Sequence, residues 1–487
     1  MNRDAETTVN ARPDPLGFLD NEAVARTLNT AQATLGMARI GSLPGFSMPL
    51  FIFAAMSRFP APFLVIVRDD ETLNRLEFEL GFLCDLYGAN SARIAAMPDY
   101  DVFEMDAPLA VEDRRRRRLN ALEILYGEQP SGGAIVIATP GGARRKTLDR
   151  QTWRAHTQTL APGAKARPED VMAALLRAGY ERSRSIDRPG RAVLRGGVLD
   201  AWPAHADAPA RIEFYGNSVE EIRRFDPETQ RSQQKIESVL LTPASEVIFP
   251  HQTANAPAPG VDYSPAAAEE SPLHALVRQH ENLVRKDHAE LIRRNLYFDA
   301  GVLYPTIFGS RANPLLDGLF STIIFADARQ CTEAWDKELE NMTAWAGRRK
   351  FPDPQELFYN IYEEIPEDTS TLGKTLLLNS MPYGDGDADA LDMPVRMLPP
   401  LPLDLGEISR ILQRETAQGR VAIISRYKKR LLGFLDDEGI HGVSVVEGAV
   451  RGGFRLDTGP CSVFTDAEMF QARPEKKKAA VRRDPDR

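Results

Sequence analysis

Cysteine and histidine are scarce in this chain, which has three cysteines and seven histidines among 487 residues. The cysteines, Cys84, Cys331 and Cys461, are too far apart for a disulfide framework or a metal knuckle, which indicates a reducing compartment. The histidines form no HExxH motif and no His/Cys cluster. The sequence therefore predicts no zinc site.

Long hydrophobic runs and a secretory signal are also absent from the sequence. The apolar stretch from Met48 to Met56 stops before Arg58 and Pro60, well short of the ~20 residues that cross a bilayer. The opening residues, MNRDAETTVNARPDP, lack the basic start and apolar centre of a signal peptide. We therefore expect a cytoplasmic protein with no membrane span.

An excess of basic residues is the third absence. The formal net charge is −9, which argues against a chain that coats nucleic acid by electrostatics alone. Hydrophobic residues make up 43% and charged residues 26%, as in ordinary globular proteins. At ~100–200 residues per domain, this length predicts three or four domains.

Strand and helix patterns alternate in the first part of the chain. Continuous apolar runs at Phe63–Val67 and Ala134–Ala138 are typical of buried strands, and helical periodicity covers Leu73–Gly88 and Val111–Gly127. The alternation predicts an α/β domain built on a parallel sheet.

A different pattern begins at Arg167, where an amphipathic helix closed by Gly179 precedes short strands that end near Thr242. Residues 251–272 resemble a linker, and helices are expected at 273–297. We predict an α/β domain formed by residues 1–156 and 242–385, an inserted α+β module at 157–241, a small α/β third domain at 396–473 and a disordered basic tail at 474–487.

The stretch GSLPGFSM, from Gly41 through Gly45 to Met48, has the spacing of a phosphate-binding loop, GxxxxGK[ST]. Its closing positions are Phe46, Ser47 and Met48, so the lysine that neutralises phosphate charge and the hydroxyl that holds magnesium are missing. We expect a degenerate loop that does not bind ATP.

In FLVIVRDDE, acidic residues follow an apolar strand, and this is the position at which a nucleotide-binding domain carries an acidic magnesium ligand. The alternative is that Asp69 or Asp70 caps the next helix while Glu71 favours its positive end. Because the phosphate loop is degenerate, capping is the favoured interpretation.

Five arginines in succession, Arg114, Arg115, Arg116, Arg117 and Arg118, wind through more than one helical turn and cannot share one groove. We favour a solvated face paired with Glu112 and Asp113, and a nucleic-acid or acidic-partner patch remains the alternative.

The stretch RAVLRGGVLDAWPAHADAPARIEFYG reads as antiparallel strands. We expect Arg195, Arg211 and Tyr215 to share an exposed face while Val198, Ile212 and Phe214 pack inward against the helix. Exposed arginine and tyrosine are the composition of a protein-binding hot spot, and an ordinary basic surface is the alternative.

Several stretches together resemble a known family: LPGFSMPLF, VIVRDDETLNRLEFEL, RLNALEILY, AGYERSRSIDRPGRAVLRGGVLDAWP and RIEFYGNSVEEIRRFDPETQRS. They are similar to the N-terminal region of transcription-repair coupling factors (Mfd), a region shared with the excision-repair helicase UvrB. The resemblance spans roughly Gly41 to Glu246 and continues weakly to about Arg473. The segment MPDYDVFEMDAP and the five-arginine run depart from the family.

The resemblance implies a degenerate, ATP-free RecA/UvrB-like domain that carries an inserted module for binding UvrA, followed by a small third domain. By position, the residues that contact UvrA in this family fall on Arg195, Arg211 and Tyr215. A coupling factor of the family carries phenylalanine at the position of Tyr215. The family continues into an RNA-polymerase-interacting domain and a translocase, whereas this sequence stops at Arg487, so we expect no motor.

The expected function is therefore a non-catalytic nucleotide-excision-repair protein that docks UvrA and reaches damaged DNA only through it. No cofactor and no small-molecule substrate are expected. The alternatives are a nucleotide-dependent, helicase-like ATPase and the N-terminal part of a split coupling factor.

Overall fold

The structure is a computed structural model. It describes residues 14–89, 91–100, 108–127, 132–246, 248, 313, 315, 317–348, 362–366, 368–384, 387 and 389–471. The linker, helices and tail predicted at 251–272, 273–297 and 474–487 lie outside these residues. The predicted domain boundaries remain predictions.

The described strands and helices follow in chain order. The strands are β1 (Met37–Gly41), β2 (Phe63–Ile66), β3 (Arg93–Met97), β4 (Ala134–Ala138), β5 (Gln158–Leu160), β6 (Glu181–Arg182), β7 (Arg191–Arg195), β8 (Val198–Ala201), β9 (Ala210–Tyr215), β10 (Ser218–Phe225), β11 (Ser232–Lys235), β12 (Val239–Leu241), β13 (Thr322–Ala326), β14 (Lys374–Leu378), β15 (Leu391–Asp392), β16 (Val395–Met397), β17 (Arg420–Ser425), β18 (Val443–Glu447), β19 (Phe454–Leu456) and β20 (Cys461–Thr465). The helices are α1 (Glu22–Ala33), α2 (Ser47–Ala55), α3 (Asp70–Tyr87), α4 (Pro108–Tyr126), α5 (Pro140–Arg144), α6 (Arg150–Ala155), α7 (Pro168–Arg177), α8 (Ala328–Arg348), α9 (Leu405–Gln418), α10 (Lys428–Asp437) and α11 (Asp466–Phe470).

The largest sheet has seven strands in the order β15-β1-β14-β13-β2-β4-β3, and every pairing in it is parallel. Strands β2 and β4 are buried along their whole length, which explains their continuous apolar sequences. The expected α/β class with a parallel sheet is confirmed. Strands β13 and β14, which follow the inserted module in sequence, lie between β1 and β2 in space.

The segment predicted as an inserted module (157–241), called the inserted module below, contains a second sheet of six strands, in the order β11-β10-β9-β8-β7-β6. Helix α7 covers one of its faces, where Val171, Met172 and Leu175 share a core with Leu199 and Ile212. The short pair β12 and β5 closes the module, because its antiparallel pairing brings the entry and exit of the module together.

The third sheet has five strands in the order β16-β19-β20-β17-β18. Helices α9 and α10 alternate with strands β17, β18 and β20, which is the alternation expected of an α/β domain. Residues of this sheet, including Ile424, Phe454 and Val463, join the core beside the seven-stranded sheet.

Within the described ranges, no helix is both long enough and apolar enough to cross a bilayer. The same residues contain no cluster of three or more His, Cys, Asp or Glu side chains arranged to hold a metal ion.

Candidate protein-docking interface

The face predicted around Arg195, Arg211 and Tyr215 lies on one side of the six-stranded sheet. Arg211 and Tyr215 are four residues apart on β9, so strand alternation puts them on the same face. Arg195 ends β7 opposite Val198 on β8, and Val198 in turn faces Glu213 on β9. The strand pairing therefore brings the three predicted residues to one surface, which we call the arginine face.

The opposite face of the same strands packs on α7. Ile212 is fully buried opposite Leu199, and Phe214 is half-buried against the same core, as predicted. The prediction for Val198 was wrong, because Val198 lies on the arginine face. The two-residue turn between β7 and β8 pairs Arg195 directly with Val198, and directly paired residues share a face.

Asp200 on β8 is the centre of the arginine face, and the sequence reasoning missed it. Its carboxylate is buried and accepts two hydrogen bonds from Arg211, with Nε–Oδ1 at 2.8 Å and a terminal nitrogen to Oδ2 at 3.0 Å. A terminal nitrogen of Arg195 lies 3.6 Å from Oδ2 of the same carboxylate. One buried acid thus contacts both arginines. An aspartate between the two arginines in sequence, on the strand between theirs, was the available signal.

Further contacts fix the Arg211 guanidinium in place. Its remaining terminal nitrogen donates to the carbonyl of Gln230 at 3.4 Å and to Oγ of Ser232 at 3.3 Å. The guanidinium carbon lies 4.8 Å from the centre of the Phe225 ring, within the range of a cation–π contact. The hydrogen bonds to Asp200 raise the pKa of Arg211, so its charge is secure.

The three predicted residues differ in exposure. Tyr215 is 82% exposed at the end of β9, the Arg195 side chain is 54% exposed, and the Arg211 side chain is 19% exposed. Arg195 also donates a hydrogen bond to the carbonyl of Arg184. Arg195 and Tyr215 can therefore meet a partner without rearrangement, whereas Arg211 is held beside them.

The stretch predicted to be a degenerate phosphate loop, residues 41–48, is packed against another segment of the chain. It begins with Gly41 at the end of β1, and Gly45 adopts the left-handed conformation, with φ of +57°. The Phe46 side chain is fully buried, and its backbone N–H donates to the carbonyl of Gly452 at 2.9 Å. In an active phosphate-binding loop, backbone N–H groups face the phosphate. Here the N–H of Phe46 is already hydrogen-bonded to the Gly452 carbonyl.

The closing residues of the loop also turn inward. Ser47 is fully buried and its hydroxyl donates to the Pro44 carbonyl at 2.6 Å, and Met48 is buried as well. Neither side chain supplies a positive charge. These residues therefore form the buried start of α2.

A cavity of about 250 Å³ lies beside this loop, between α3 and the third sheet, and its lining includes Arg75, Glu79, Asp327 and Arg451. Burial raises the pKa of Glu79 to about 7, against smaller opposing effects of Arg75 and Arg451. The backbone N–H of Arg451 donates to the Glu79 carboxylate at 3.3 Å. This buried acid therefore connects α3 to the segment of Arg451 and Gly452 that contacts Phe46.

The acidic residues that follow β2 either cap α3 or form ion pairs with other segments of the chain. Asp69 caps α3 by accepting from the Thr72 N–H at 2.8 Å, as the favoured interpretation predicted. Asp70 and Glu71 occupy the first turn, where they form ion pairs with Arg114 and Arg451.

The five-arginine run is paired with acids of the same chain. The four partially exposed arginines form ion pairs as follows: Arg114 with Asp70, Arg115 with Glu112, Arg116 with Asp113 and Arg117 with Glu77. The prediction of a solvated face was wrong for Arg118, which is completely buried against Glu246. A helix that winds 100° per residue turns one of five successive side chains into the core.

Comparisons with known proteins match the segment that contains the arginine face. Residues 159–247 match the UvrB interaction domain family. The chain is 26% identical over 219 residues to the transcription-repair-coupling factor of Bacillus subtilis, which covers 45% of this chain and 18% of that protein. It is 31% identical over 199 residues to the protein of the same name from Myxococcus xanthus, covering 40% and 16%. The resemblance inferred from the motifs is confirmed, over less than a fifth of the length of either relative.

Proposed function

We propose that this chain is a non-catalytic nucleotide-excision-repair protein whose inserted module docks UvrA through the arginine face. The observation that carries the proposal is the joint exposure of Arg195 and Tyr215 beside the fixed cation of Arg211. These residues lie within the segment that matches the UvrB interaction domain. In this proposal, the chain reaches damaged DNA only through UvrA. A repair complex on DNA forms in the bacterial cytoplasm, and we place the chain there.

The chemistry of the arginine face suits a partner with an exposed carboxylate. Two guanidinium groups share the single charge of Asp200, which leaves this trio with a net positive charge. Planar guanidinium groups bind carboxylates through paired hydrogen bonds, and an exposed tyrosine ring adds contact area at low entropic cost. Such residues commonly dominate the energy of an interface.

The packing of residues 41–48 supports the non-catalytic part of the proposal. ATP binding would require the Gly452 carbonyl to leave Phe46, and no lysine stands in the loop to compensate the phosphate charge. The seven parallel strands with this loop after β1 are compatible with a degenerate RecA/UvrB-like domain. We therefore propose that the first domain is such a domain and serves as a scaffold.

Charge reversal at Arg195 tests the docking face. Arg195→Glu places a carboxylate opposite the partner's acid, and we expect it to weaken UvrA binding by about 2–4 kcal/mol in calorimetric titration. The matched control is Arg182→Glu, because Arg182 is exposed and pairs with Ala192, whose side chain belongs to the α7 core on the opposite face. Equal affinities for the Arg195 variant and the control would refute the docking face.

A nucleotide titration tests the non-catalytic assignment. We expect no saturable binding of MgATP to the chain and no DNA-stimulated release of phosphate. Saturable binding at micromolar ATP, or phosphate release that rises with DNA, would favour the helicase-like alternative.

A further inference from the structure

Asp200 lies where β7, β8 and β9 meet on the arginine face. It is paired across the sheet with Arg211 on β9 and with Val193 on β7, and its side chain is 3% exposed. Arg195 and Arg211, the two arginines of the arginine face, both contact this carboxylate. A buried acid that contacts both cations of an exposed surface can determine how they are presented.

The contacts of Asp200 with the two arginines differ in kind. Arg211 uses Nε and a terminal nitrogen in a two-point contact at 2.8 and 3.0 Å, which fixes the plane of its guanidinium group. Arg195 is held at 3.6 Å by one nitrogen, so its contact is mainly electrostatic. Asp200 therefore fixes Arg211 firmly and limits where Arg195 can move.

We propose that Asp200 is a positioning residue for partner binding, which holds Arg195 and Arg211 in the arrangement that receives a carboxylate of the partner. This inference rests on the proposed docking of UvrA. A preformed arrangement lowers the entropic cost of ordering long side chains when the complex forms. The contribution of Asp200 is thus indirect, because it acts through the two arginines.

Net charge and positioning predict opposite effects when the Asp200 charge is removed. Asp200→Asn keeps the shape of the side chain but makes the face more positive by one charge, which by itself strengthens binding to an acidic partner. The same change replaces one acceptor oxygen by an NH2 group that faces the guanidinium donors, so Arg211 loses its two-point contact. We expect positioning to dominate and Asp200→Asn to weaken binding.

The experiment measures the Kd of the full chain for UvrA by calorimetry, at 0.1 M and 0.5 M NaCl. We expect Asp200→Asn to raise the Kd about tenfold at both salt concentrations, since high salt screens the added charge but does not restore the geometry. In an Arg211→Ala background, where the two-point contact is already absent, we expect the same change to raise the Kd by less than threefold. A loss of equal size in both backgrounds would indicate a purely structural role and overturn the inference.

A second variant, Arg211→Lys, keeps the net charge constant. It tests the same inference if Asp200→Asn unfolds the module. Arg211→Lys retains the cation but cannot form the two-point contact, and we expect about a tenfold rise in Kd. Arg182→Lys on the opposite face is the control and should leave the Kd unchanged. Unchanged or tighter binding by Asp200→Asn and Arg211→Lys would overturn the inference alone, whereas a wild-type chain that does not bind UvrA would overturn the docking proposal as well.

Discussion

Arg118 and Glu246 form a buried ion pair that joins α4 to the segment leaving the inserted module. The Nε of Arg118 lies 2.9 Å from Oε2 of Glu246, and a terminal nitrogen lies 3.0 Å from Oε1. The hydroxyls of Tyr100 and Thr147 donate to the same carboxylate. This pair attaches the end of the module to the seven-stranded sheet, and so contributes to holding the arginine face relative to the rest of the chain.

Breaking the pair should destabilise the protein strongly. Arg118→Met leaves the Glu246 carboxylate buried without its cation, and we expect a loss of about 3–5 kcal/mol in the free energy of unfolding, measured by urea titration. The control is Arg116→Met, because the Arg116 pair with Asp113 is exposed and contributes at most about 1 kcal/mol. Similar losses in the two variants would contradict the assignment of Arg118 to the core.

The same pair predicts a dependence on acid. Burial alone would raise the pKa of Glu246, but the charge and hydrogen bonds of Arg118 outweigh it and hold the pKa below its ordinary value. The stabilisation is therefore present at neutral pH and is lost as the pH falls through the folded-state pKa. We expect the urea midpoint of the wild type to drop on acidification more steeply than that of Arg118→Met. Parallel acid curves would contradict this prediction.

Glu79 should have the opposite pH dependence. Burial raises its pKa to about 7 in the folded protein, above the ordinary value of 4.5 for a glutamate side chain, so the unfolded chain releases its proton at a lower pH. The free energy of unfolding should therefore fall as the pH rises from about 4.5 to about 7, by roughly 3 kcal/mol at about 1.4 kcal/mol per pKa unit. Glu79→Gln removes this titration, and its urea midpoint should exceed that of the wild type above pH 7. Identical pH slopes in the two proteins would refute the assignment.

The contact between residues 41–48 and the segment that precedes β19 can be tested at Gly45. A Cβ at Gly45 would lie 2.5 Å from the Gly452 carbonyl oxygen, and its φ is +57°. Gly36 is the matched control, because its φ is +75° but nothing lies within 4 Å of an added Cβ. We expect Gly36→Ala to lose about 1–2 kcal/mol from backbone strain alone, and Gly45→Ala to lose clearly more. Thermal unfolding of the two variants measures the difference, and equal Tm values would contradict the close contact.

The exposed ring of Tyr215 should matter for binding and not for folding. Tyr215→Ala removes a side chain that is 82% exposed, so we expect about a tenfold rise in the Kd for UvrA with the Tm unchanged. Tyr215→Phe keeps the ring and should bind within twofold of the wild type. Phe78→Ala removes another exposed ring, on α3 outside the module, and should leave the Kd unchanged. A loss of affinity equal to that of Tyr215→Ala in the Phe78 variant would refute a specific role for Tyr215.

Local patterns predicted most of the secondary structure that is described. The apolar run beginning at Phe63 forms β2, and Asp69 caps the helix that follows. These predictions succeed because hydrophobic periodicity and capping depend on neighbours within a few residues. The grouping of Arg195, Arg211 and Tyr215 on one face also followed from strand alternation.

The sequence alone therefore determined the parallel α/β class, the strands of the inserted module and the face that carries its exposed residues. Tertiary structure decided that Asp200 joins two arginines, that Arg118 is buried and that the Gly452 carbonyl contacts Phe46. The last two of these contacts join residues 128 and 406 positions apart along the chain, and the first depends on the register between three strands. Periodicity carries no information about such distances, because they are fixed only when separate elements pack together.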